Sequence, residues 1–262
     1  MRHLLIATII TLLAGCASGP PIDTRYTSMN QDSRVQYLIL HFTVGNFQGA
    51  LKELTTGSVS SHYLVNDSPP TIYRLVDENR RAYHAGVSSW KGSTQLNAAS
   101  IGIEIVNAGE KTTPTGKVWA DFPQPQIDAV IALVKKIVAE HAIKPERILG
   151  HSDIAPQRRQ DPGPRFPWKQ LADVGLIPWP DANLVAQKKV EFEATLPDID
   201  WFQQKLARHG FEVPLNGQLD EATVNVLVAF QMKYRPALFD GMPDAETAAL
   251  LDVLTAVTPT PP

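Results

Sequence analysis

Cysteine, net charge and hydrophobic runs long enough to cross a membrane are all scarce in this sequence. The 262 residues include one cysteine, so no disulfide can form within the chain. There are 24 lysines and arginines against 27 aspartates and glutamates, with no basic run, which excludes the concentrated positive surface that nucleic-acid binding needs. Apolar residues make up 44% of the chain and the net charge is −3, which excludes intrinsic disorder as the main state. The length allows one large domain and one small one.

The amino terminus has a basic start followed by an apolar run at residues 4–14, which is too short to span a bilayer. Residues 1–15 are therefore predicted to be an export signal. Leu13-Ala14-Gly15-Cys16 resembles the bacterial lipobox, which implies that Cys16 carries a lipid anchor; the alternative is a buried thiol in a core helix. By the same resemblance, Ala17 implies an outer-membrane lipoprotein facing the periplasm. Residues 16–34 are expected to form the lipidated tether.

The segment 35–182 has the pattern of an α/β domain. An apolar run with β-branched and aromatic residues, at 35–42, is typical of a buried strand. Further strands are predicted at 61–65, 72–76, 100–106 and 147–150, and a helix with apolar residues at helical spacing is predicted at 125–142. Strands mixed with helices on this scale predict a central sheet flanked by helices.

The carboxyl-terminal part predicts a second, smaller domain. Periodicity weakens at residues 183–197, which are expected to be a linker. Helices are predicted at 199–209, 221–234 and 245–254, each with a start or stop signal such as Asp220 or Gly210. Residues 198–256 are thus expected to form a three-helix module, followed by a tail at 257–262.

Four polar side chains stand where the surrounding pattern is apolar or rich in loops. His41 lies in an apolar strand, and Glu104 interrupts one face of the strand 100–106, so each needs a partner there. His151 and Asp161 come from one loop-rich segment that could fold back on itself. Two imidazoles and a carboxylate suit a catalytic zinc site with its fourth position open for water. The residues alone also allow a structural salt bridge or a satisfied polar group in the core.

Several motifs occur in the order of one family, over roughly residues 34–180. They are Leu38-Ile39-Leu40-His41-Phe42-Thr43, Ser60-Ser61-His62-Tyr63-Leu64-Val65, Tyr83-His84-Ala85-Gly86, Ser100-Ile101-Gly102-Ile103-Glu104, Gly150-His151-Ser152-Asp153-Ile154-Ala155-Pro156 and Asp161-Pro162-Gly163-Pro164-Arg165-Phe166-Pro167-Trp168. In these stretches the sequence closely resembles the type-2 family of zinc-dependent N-acetylmuramoyl-L-alanine amidases. The resemblance implies a central mixed β-sheet flanked by helices.

The same resemblance implies an activity and a site. His41, His151 and Asp161 would be the ligands of one Zn²⁺, and Glu104 the catalytic carboxylate that takes a proton from the attacking water. The bond cut would join N-acetylmuramic acid, including anhydro-muramic acid, to the L-alanine of a peptidoglycan stem peptide. A zinc peptidase that acts on D-amino-acid bonds is an alternative that differs only in this bond.

The remaining site predictions concern the surroundings of the metal. Arg159 stands where many relatives have lysine; an arginine stays protonated, so it would stabilise an oxyanion as a second catalytic residue. His62 fits a family pattern in which it holds the pocket wall, with substrate contact as the alternative. The residues expected to bind substrate are Phe42, Thr43, His84 and Ala85.

The carboxyl-terminal module loosely resembles three-helix peptidoglycan-binding domains, for example at Asp240-Gly241. A plain stabilising appendage is the alternative. The expected partners are peptidoglycan and muropeptides, and the outer membrane through the lipid on Cys16; no nucleic acid is expected, and the protein is expected to be a monomer. A non-catalytic peptidoglycan-binding lipoprotein remains the rival function, either as a recognition module or as a tether between wall and membrane.

Overall fold

The computed structural model describes residues 20, 22–114 and 116–256. The predicted signal peptide 1–15, the predicted lipidation site Cys16 and the predicted tail 257–262 lie outside the described residues. The chain divides into two compact units, Met1–Asp32 and Ser33–Pro262. The described residues of the first unit form no helix or strand, and the second unit holds every element given below. No helix within the described ranges has both the length and the apolarity that a bilayer crossing requires.

Seven strands occur in the described residues. They are β1 (Tyr37–Val44), β2 (Tyr63–Val65), β3 (Ile72–Arg74), β4 (Ser100–Asn107), β5 (Glu110–Thr113), β6 (Gly116–Trp119) and β7 (Ile148–Gly150). The central sheet has the order β3-β2-β4-β1-β7, in which β3 is antiparallel to β2 and the other pairs are parallel. Strands β5 and β6 form a separate antiparallel hairpin. The predicted mixed sheet is confirmed.

The helices of the described residues flank this sheet and continue beyond it. They are α1 (Phe47–Thr56), α2 (Leu96–Ala99), α3 (Gln124–His141), α4 (His151–Ile154), α5 (Trp168–Asp173), α6 (Ala182–Ala194), α7 (Ile199–His209), α8 (Glu221–Tyr234) and α9 (Ala245–Thr255), with a 3₁₀ turn at Pro145–Arg147. The strands and the long helix predicted for the α/β domain all occur, with ends that differ by at most two residues. The predicted helices 199–209 and 221–234 coincide with α7 and α8.

Strand β1 lies in the middle of the sheet and is buried on both faces. Because side chains alternate along a strand, Leu38 and Leu40 point to the face covered by α3, in a core with Ile127. Ile39 points the other way, into a core that includes Phe202 of α7 and Phe230 of α8. The sheet therefore separates two hydrophobic layers, one of which is supplied by the carboxyl-terminal helices.

Most of the segment predicted to be a linker is helix α6, which packs against α9. The three helices predicted for residues 198–256 occur as α7, α8 and α9, and α6 precedes them. Asp181 caps α6 by accepting hydrogen bonds from the backbone N–H groups of Asn183 and Leu184. No residue of α6 is fully buried, which explains the weak hydrophobic periodicity; its partly buried residues Val185 and Phe192 contact the shared core.

Candidate metal centre and active site

The four polar residues singled out in the sequence meet near the carboxyl ends of adjacent parallel strands. His41 of β1 lies directly opposite Glu104 of β4 in the sheet register. His151 follows β7 as the first residue of α4, and Asp161 lies in the loop after that helix. The carboxyl ends of parallel strands are where open α/β sheets bind ligands.

His41, His151 and Asp161 form a compact triangle of ligand atoms. His41 Nδ1 lies 3.0 Å from His151 Nδ1, and each of these nitrogens lies 3.1 Å from Asp161 Oδ2. All three residues are buried. Two Zn²⁺ ligands in a tetrahedral site stand about 3.3 Å apart, given metal–ligand bonds of ~2.0 Å. The triangle thus has the size of one face of a zinc tetrahedron.

The hydrogen bonds of the ligand histidines also fit a metal. His151 Nε2 lies 3.2 Å from the carbonyl oxygen of Ala85 and 3.4 Å from Arg158 Nη2. The shorter contact is to an oxygen that only accepts hydrogen bonds, and we therefore assign the proton to Nε2. In the neutral His151 ring, Nδ1 is then unprotonated, and its lone pair faces His41 and Asp161. His41 Nε2 lies 3.0 Å from His84 Nδ1, which leaves its own Nδ1 in the triangle. Metal-binding histidines commonly have their second ring nitrogen held in this way.

Electrostatics favour an ionised carboxylate in the triangle. Burial alone would raise the pKa of Asp161, but its close contacts with His151 and His41 outweigh burial and lower the pKa far below its ordinary value. Burial lowers the pKa of His151 and keeps its ring neutral. For His41 burial acts in the same direction, but Glu104 and Asp161 together raise the pKa. The triangle therefore attracts positive charge, from a proton or from a cation.

Glu104 stands beside the triangle. Its Oε1 lies 4.0 Å from His41 Nδ1, and its Oε2 accepts a 2.6 Å hydrogen bond from the hydroxyl of Thr43. Burial raises the pKa of Glu104, which opposes the effects of His41 and Thr43. A carboxylate with a raised pKa next to a metal-bound water is suited to act as a general base.

A cleft of about 520 Å³ opens next to Asp161, and its lining includes Phe42, Trp119 and Arg159. Phe42 and Trp119 have ring centroids 6.1 Å apart. Trp119 lies at the end of β6 and was missed in the sequence, because the hairpin β5–β6 was not predicted. The available signal was the turn residues Pro114 and Gly116, with strand-favouring threonine and valine on either side.

The other predicted substrate-binding residues, Thr43, His84 and Ala85, are not part of the lining of this cleft. Thr43 is half-buried and bonds to Glu104, as described above. His84 and Ala85 are buried, and the ring of His84 lies edge-on to that of His41. Burial and the neighbouring imidazoles lower the pKa of His84 well below its ordinary value, so this ring is neutral. His62 is fully buried: its Nδ1 accepts the N–H of Gly102, and its Nε2 bonds to the carbonyl of Arg80.

An ion pair joins this region to the carboxyl-terminal helices. Asp153, in α4 two residues after His151, accepts a 2.6 Å hydrogen bond from Lys233 Nζ of α8. The same carboxylate oxygen accepts the N–H of Gly150 at 2.8 Å, at the start of α4. Lys233 Nζ also lies 4.2 Å from the centre of the Trp168 ring. Both charged side chains are buried, and neither the pair nor its partners was found in the sequence.

A second group with metal-ligand atoms consists of Glu78, Glu140 and His141. His141 Nε2 lies 2.6 Å from Glu78, and Lys136 Nζ lies 2.7 Å from Glu140. Lysine thus supplies the positive charge in this group. We assign it no metal.

Comparison with known proteins agrees with this geometry. The family model for N-acetylmuramoyl-L-alanine amidase (Amidase_2) matches residues 31–164, and a model for a putative peptidoglycan binding domain matches residues 195–251. The chain is 41% identical over 268 residues to the N-acetylmuramoyl-L-alanine amidase AmiD of Escherichia coli (strain K12), covering 97% of each chain.

Two solved structures resemble the whole fold. The first is E. coli AmiD in complex with the substrate anhydro-N-acetylmuramic acid-L-Ala-D-gamma-Glu-L-Lys, with a TM-score of 0.79, 40% identity, and coverage of 89% of this chain and 93% of that one. The second is AmpDH3 from Pseudomonas aeruginosa in complex with an anhydromuramic pentapeptide, with a TM-score of 0.82, 36% identity, and coverage of 89% and 96%. The chain therefore belongs to the N-acetylmuramoyl-L-alanine amidase family.

Proposed function

We propose that this protein hydrolyses the amide bond between N-acetylmuramic acid, including its anhydro form, and the L-alanine of peptidoglycan stem peptides. The observation that carries the proposal is the buried triangle of His41, His151 and Asp161 with Glu104 beside it. The muropeptide ligands in the AmiD and AmpDH3 structures support the same substrate class. A non-catalytic binding protein would have no need of a complete ligand triangle with an adjacent base.

The residues of the triangle would hold one Zn²⁺, which when bound acidifies a water molecule and polarises the scissile carbonyl. Glu104 takes the proton of the attacking water at its carboxylate and returns it to the leaving amine of L-alanine. Thr43 holds the other oxygen of this carboxylate and so fixes the direction in which Glu104 faces. Arg159 lines the cleft beside Asp161 and places a fixed positive charge near the developing oxyanion.

The cleft walls orient the substrate. Phe42 and Trp119 present aromatic surface on one side, which suits the apolar face of a sugar ring. The products are a free stem peptide and a muramoyl sugar or glycan.

Two sequence features support a proposed location of the protein in the cell envelope. The lipobox-like Leu13-Ala14-Gly15-Cys16 supports an outer-membrane lipoprotein that faces the periplasm, and the match at residues 195–251 supports wall binding by the carboxyl-terminal module. Replacing Cys16 with serine should move the protein from the membrane fraction to the soluble fraction of the cell envelope. An unchanged membrane fraction would contradict the lipid anchor.

The central test uses residues 17–262, purified and analysed for zinc content. Muropeptide cleavage is followed by mass spectrometry with and without a chelator. Release of the stem peptide beginning at L-alanine, abolished by chelator and restored by zinc, is expected; bound zinc without cleavage, or no zinc, would favour a wall-binding protein. Glu104→Gln should keep its zinc and lose roughly 10² to 10⁴ of the rate, the usual contribution of a general base.

A further inference from the structure

His84 is a buried titratable residue to which the mechanism above gives no role. Its Nδ1 lies 3.0 Å from Nε2 of the ligand His41, and its Nε2 lies 3.2 Å from the hydroxyl oxygen of Ser100. The Ser100 hydroxyl in turn donates a 2.5 Å hydrogen bond to the carbonyl oxygen of Leu96. A chain of hydrogen bonds thus runs from a backbone carbonyl to a predicted metal ligand.

The direction of every bond in this chain is fixed from its far end. The Leu96 carbonyl oxygen can only accept a hydrogen bond, so the Ser100 hydroxyl donates its one proton to it. The hydroxyl oxygen then accepts a hydrogen bond from His84 Nε2–H. A neutral His84 protonated at Nε2 has a bare Nδ1, which accepts from His41 Nε2–H. A histidine that binds a metal is neutral, so a metal-binding His41 ring then has its free lone pair on Nδ1, the atom that faces His151 and Asp161.

The backbone leaves room for His84 at one position. A Cβ added to Gly102 would lie 2.5 Å from Cγ of the His84 ring, closer than real Cβ contacts come. The N–H of Gly102 is bound by Nδ1 of His62, whose ring packs edge-on against His84 at 5.7 Å between centroids. The strand thus lacks a side chain where the ring of His84 lies, and His62 supports that strand from behind.

We propose that His84, oriented by Ser100, is a positioning residue that sets the tautomer of His41 and aims its Nδ1 at the metal. This inference rests on the proposed metal centre and extends it to residues that touch neither metal nor substrate. Outer partners of this kind change metal affinity by 10- to 100-fold in zinc enzymes. The sequence-based prediction placed His84 at the substrate cleft, whereas the proposal places its function behind His41.

The test compares zinc affinity, measured by competition with a chelator, in matched variants. His84→Ala should bind zinc roughly 10- to 100-fold more weakly than the unsubstituted protein. His84→Asn should recover part of the affinity, because its side-chain oxygen can accept from His41 Nε2–H, whereas His84→Leu should not.

Two further measurements separate positioning from general damage. Nitrogen chemical shifts of His41 in the metal-free protein should report a proton on Nε2, and a mixture of tautomers in His84→Ala. Gly102→Ala should displace the His84 ring and weaken zinc binding as His84→Ala does. A His84→Leu variant that binds zinc as tightly as the unsubstituted protein, or as tightly as His84→Asn, would overturn the proposal. An unsubstituted protein that binds no zinc or cleaves no muropeptide would overturn the proposed function instead.

Discussion

His209 of α7 is a largely enclosed histidine outside the metal centre, and its environment makes stability depend on pH. Its ring lies among aromatic side chains, with Trp90 at 5.7 Å and Phe230 at 5.6 Å between centroids. Burial, with the charges of Lys233 and Lys91, lowers the pKa of His209 to about 3. The folded state therefore keeps this ring neutral at pH values where the unfolded chain, with an ordinary histidine pKa of ~6.5, binds a proton.

The unfolded state binds more protons between these two pKa values, so the free energy of unfolding falls as the pH drops below about 6.5. The contribution of one histidine is about 1.4 kcal/mol per pH unit. His209→Gln should flatten the dependence of the unfolding free energy on pH between pH 4 and 6.5, measured by urea unfolding. Equal slopes in the two proteins would contradict this account. Other buried histidines act in both proteins alike and cancel in the comparison.

Thr43 controls the protonation of the proposed base. Its hydroxyl donates to Glu104 and favours the ionised carboxylate, against the effect of burial. Thr43→Val keeps the shape and removes the donor, so the pKa of Glu104 should rise. Because the base must be ionised, activity is lost as the pH falls through this pKa, and the acid limb of kcat/KM should move to higher pH while zinc content stays the same. An acid limb that does not move would show that Thr43 has no such role.

The site residues that could be predicted are polar residues of two kinds. Some interrupt an apolar strand, and others belong to a specific sequence motif. His41 and Glu104 interrupt strands, and His151 and Asp161 belong to recognisable motifs. The partners of Asp153 could not be predicted in this way, because Lys233 lies 80 residues further along the chain and reads as an ordinary helical lysine. Contacts between residues so far apart in sequence depend on how the helices and strands pack, and the local sequence pattern carries no information about that packing.

At the level of elements, the hairpin β5–β6 contributes a wall of the cleft through Trp119. A Cβ added to Gly163, whose φ is +80°, would lie 2.9 Å from the Trp119 ring, so this loop and the hairpin approach closely. Trp119→Ala should raise KM several-fold and leave kcat nearly unchanged, since the ring lines the cleft and takes no part in the proposed proton transfers. Val118→Ala, at an exposed neighbouring position of the same strand, is the matched control. A fall in kcat without a change in KM would assign the hairpin to the chemistry instead.

Elements with a strong apolar pattern could be predicted, and an element without fully buried residues could not. Strand β1 is a nearly continuous apolar run, and β4 has isoleucines at alternate positions. Helices α7 and α8 have clear caps at Asp198 and Asp220. Helix α6 contains the ion pair of Lys188 and Glu191, and none of its residues is fully buried. Its formation depends on packing against α9 and on the cap at Asp181, so its sequence resembles a linker.

At the level of the whole molecule, the carboxyl-terminal helices complete the core of the α/β domain. Ile39 and Leu149 of the sheet share a buried cluster with Phe202, Leu227 and Phe230 of α7 and α8. The two family matches therefore mark two regions of sequence within one packed unit, Ser33–Pro262. Removing the helices would expose an apolar face of the sheet, so the contribution of wall binding has to be tested by point substitution.

A substitution of Lys233 tests whether the carboxyl-terminal module supports the active site. Its ammonium group is the buried partner of Asp153, in the short helix that begins with His151. Lys233→Met leaves a buried carboxylate unpaired, which typically destabilises a protein by about 3–5 kcal/mol. Unfolding by urea should show this loss, and chelator competition should show weaker zinc binding because the start of α4 loses its support.

The control for this substitution is Lys205→Met, which removes a 2.7 Å ion pair with Asp252 within the same module. That pair is partly exposed, so its loss should cost about 1 kcal/mol or less and leave zinc affinity unchanged. The double variant Asp153→Asn with Lys233→Met should recover stability, because no uncompensated charge remains buried. We expect Lys233→Met to lose more stability and more zinc affinity than Lys205→Met, which would show that the carboxyl-terminal module supports the position of His151. Equal losses in the two variants would show that the module gives the metal centre no such support.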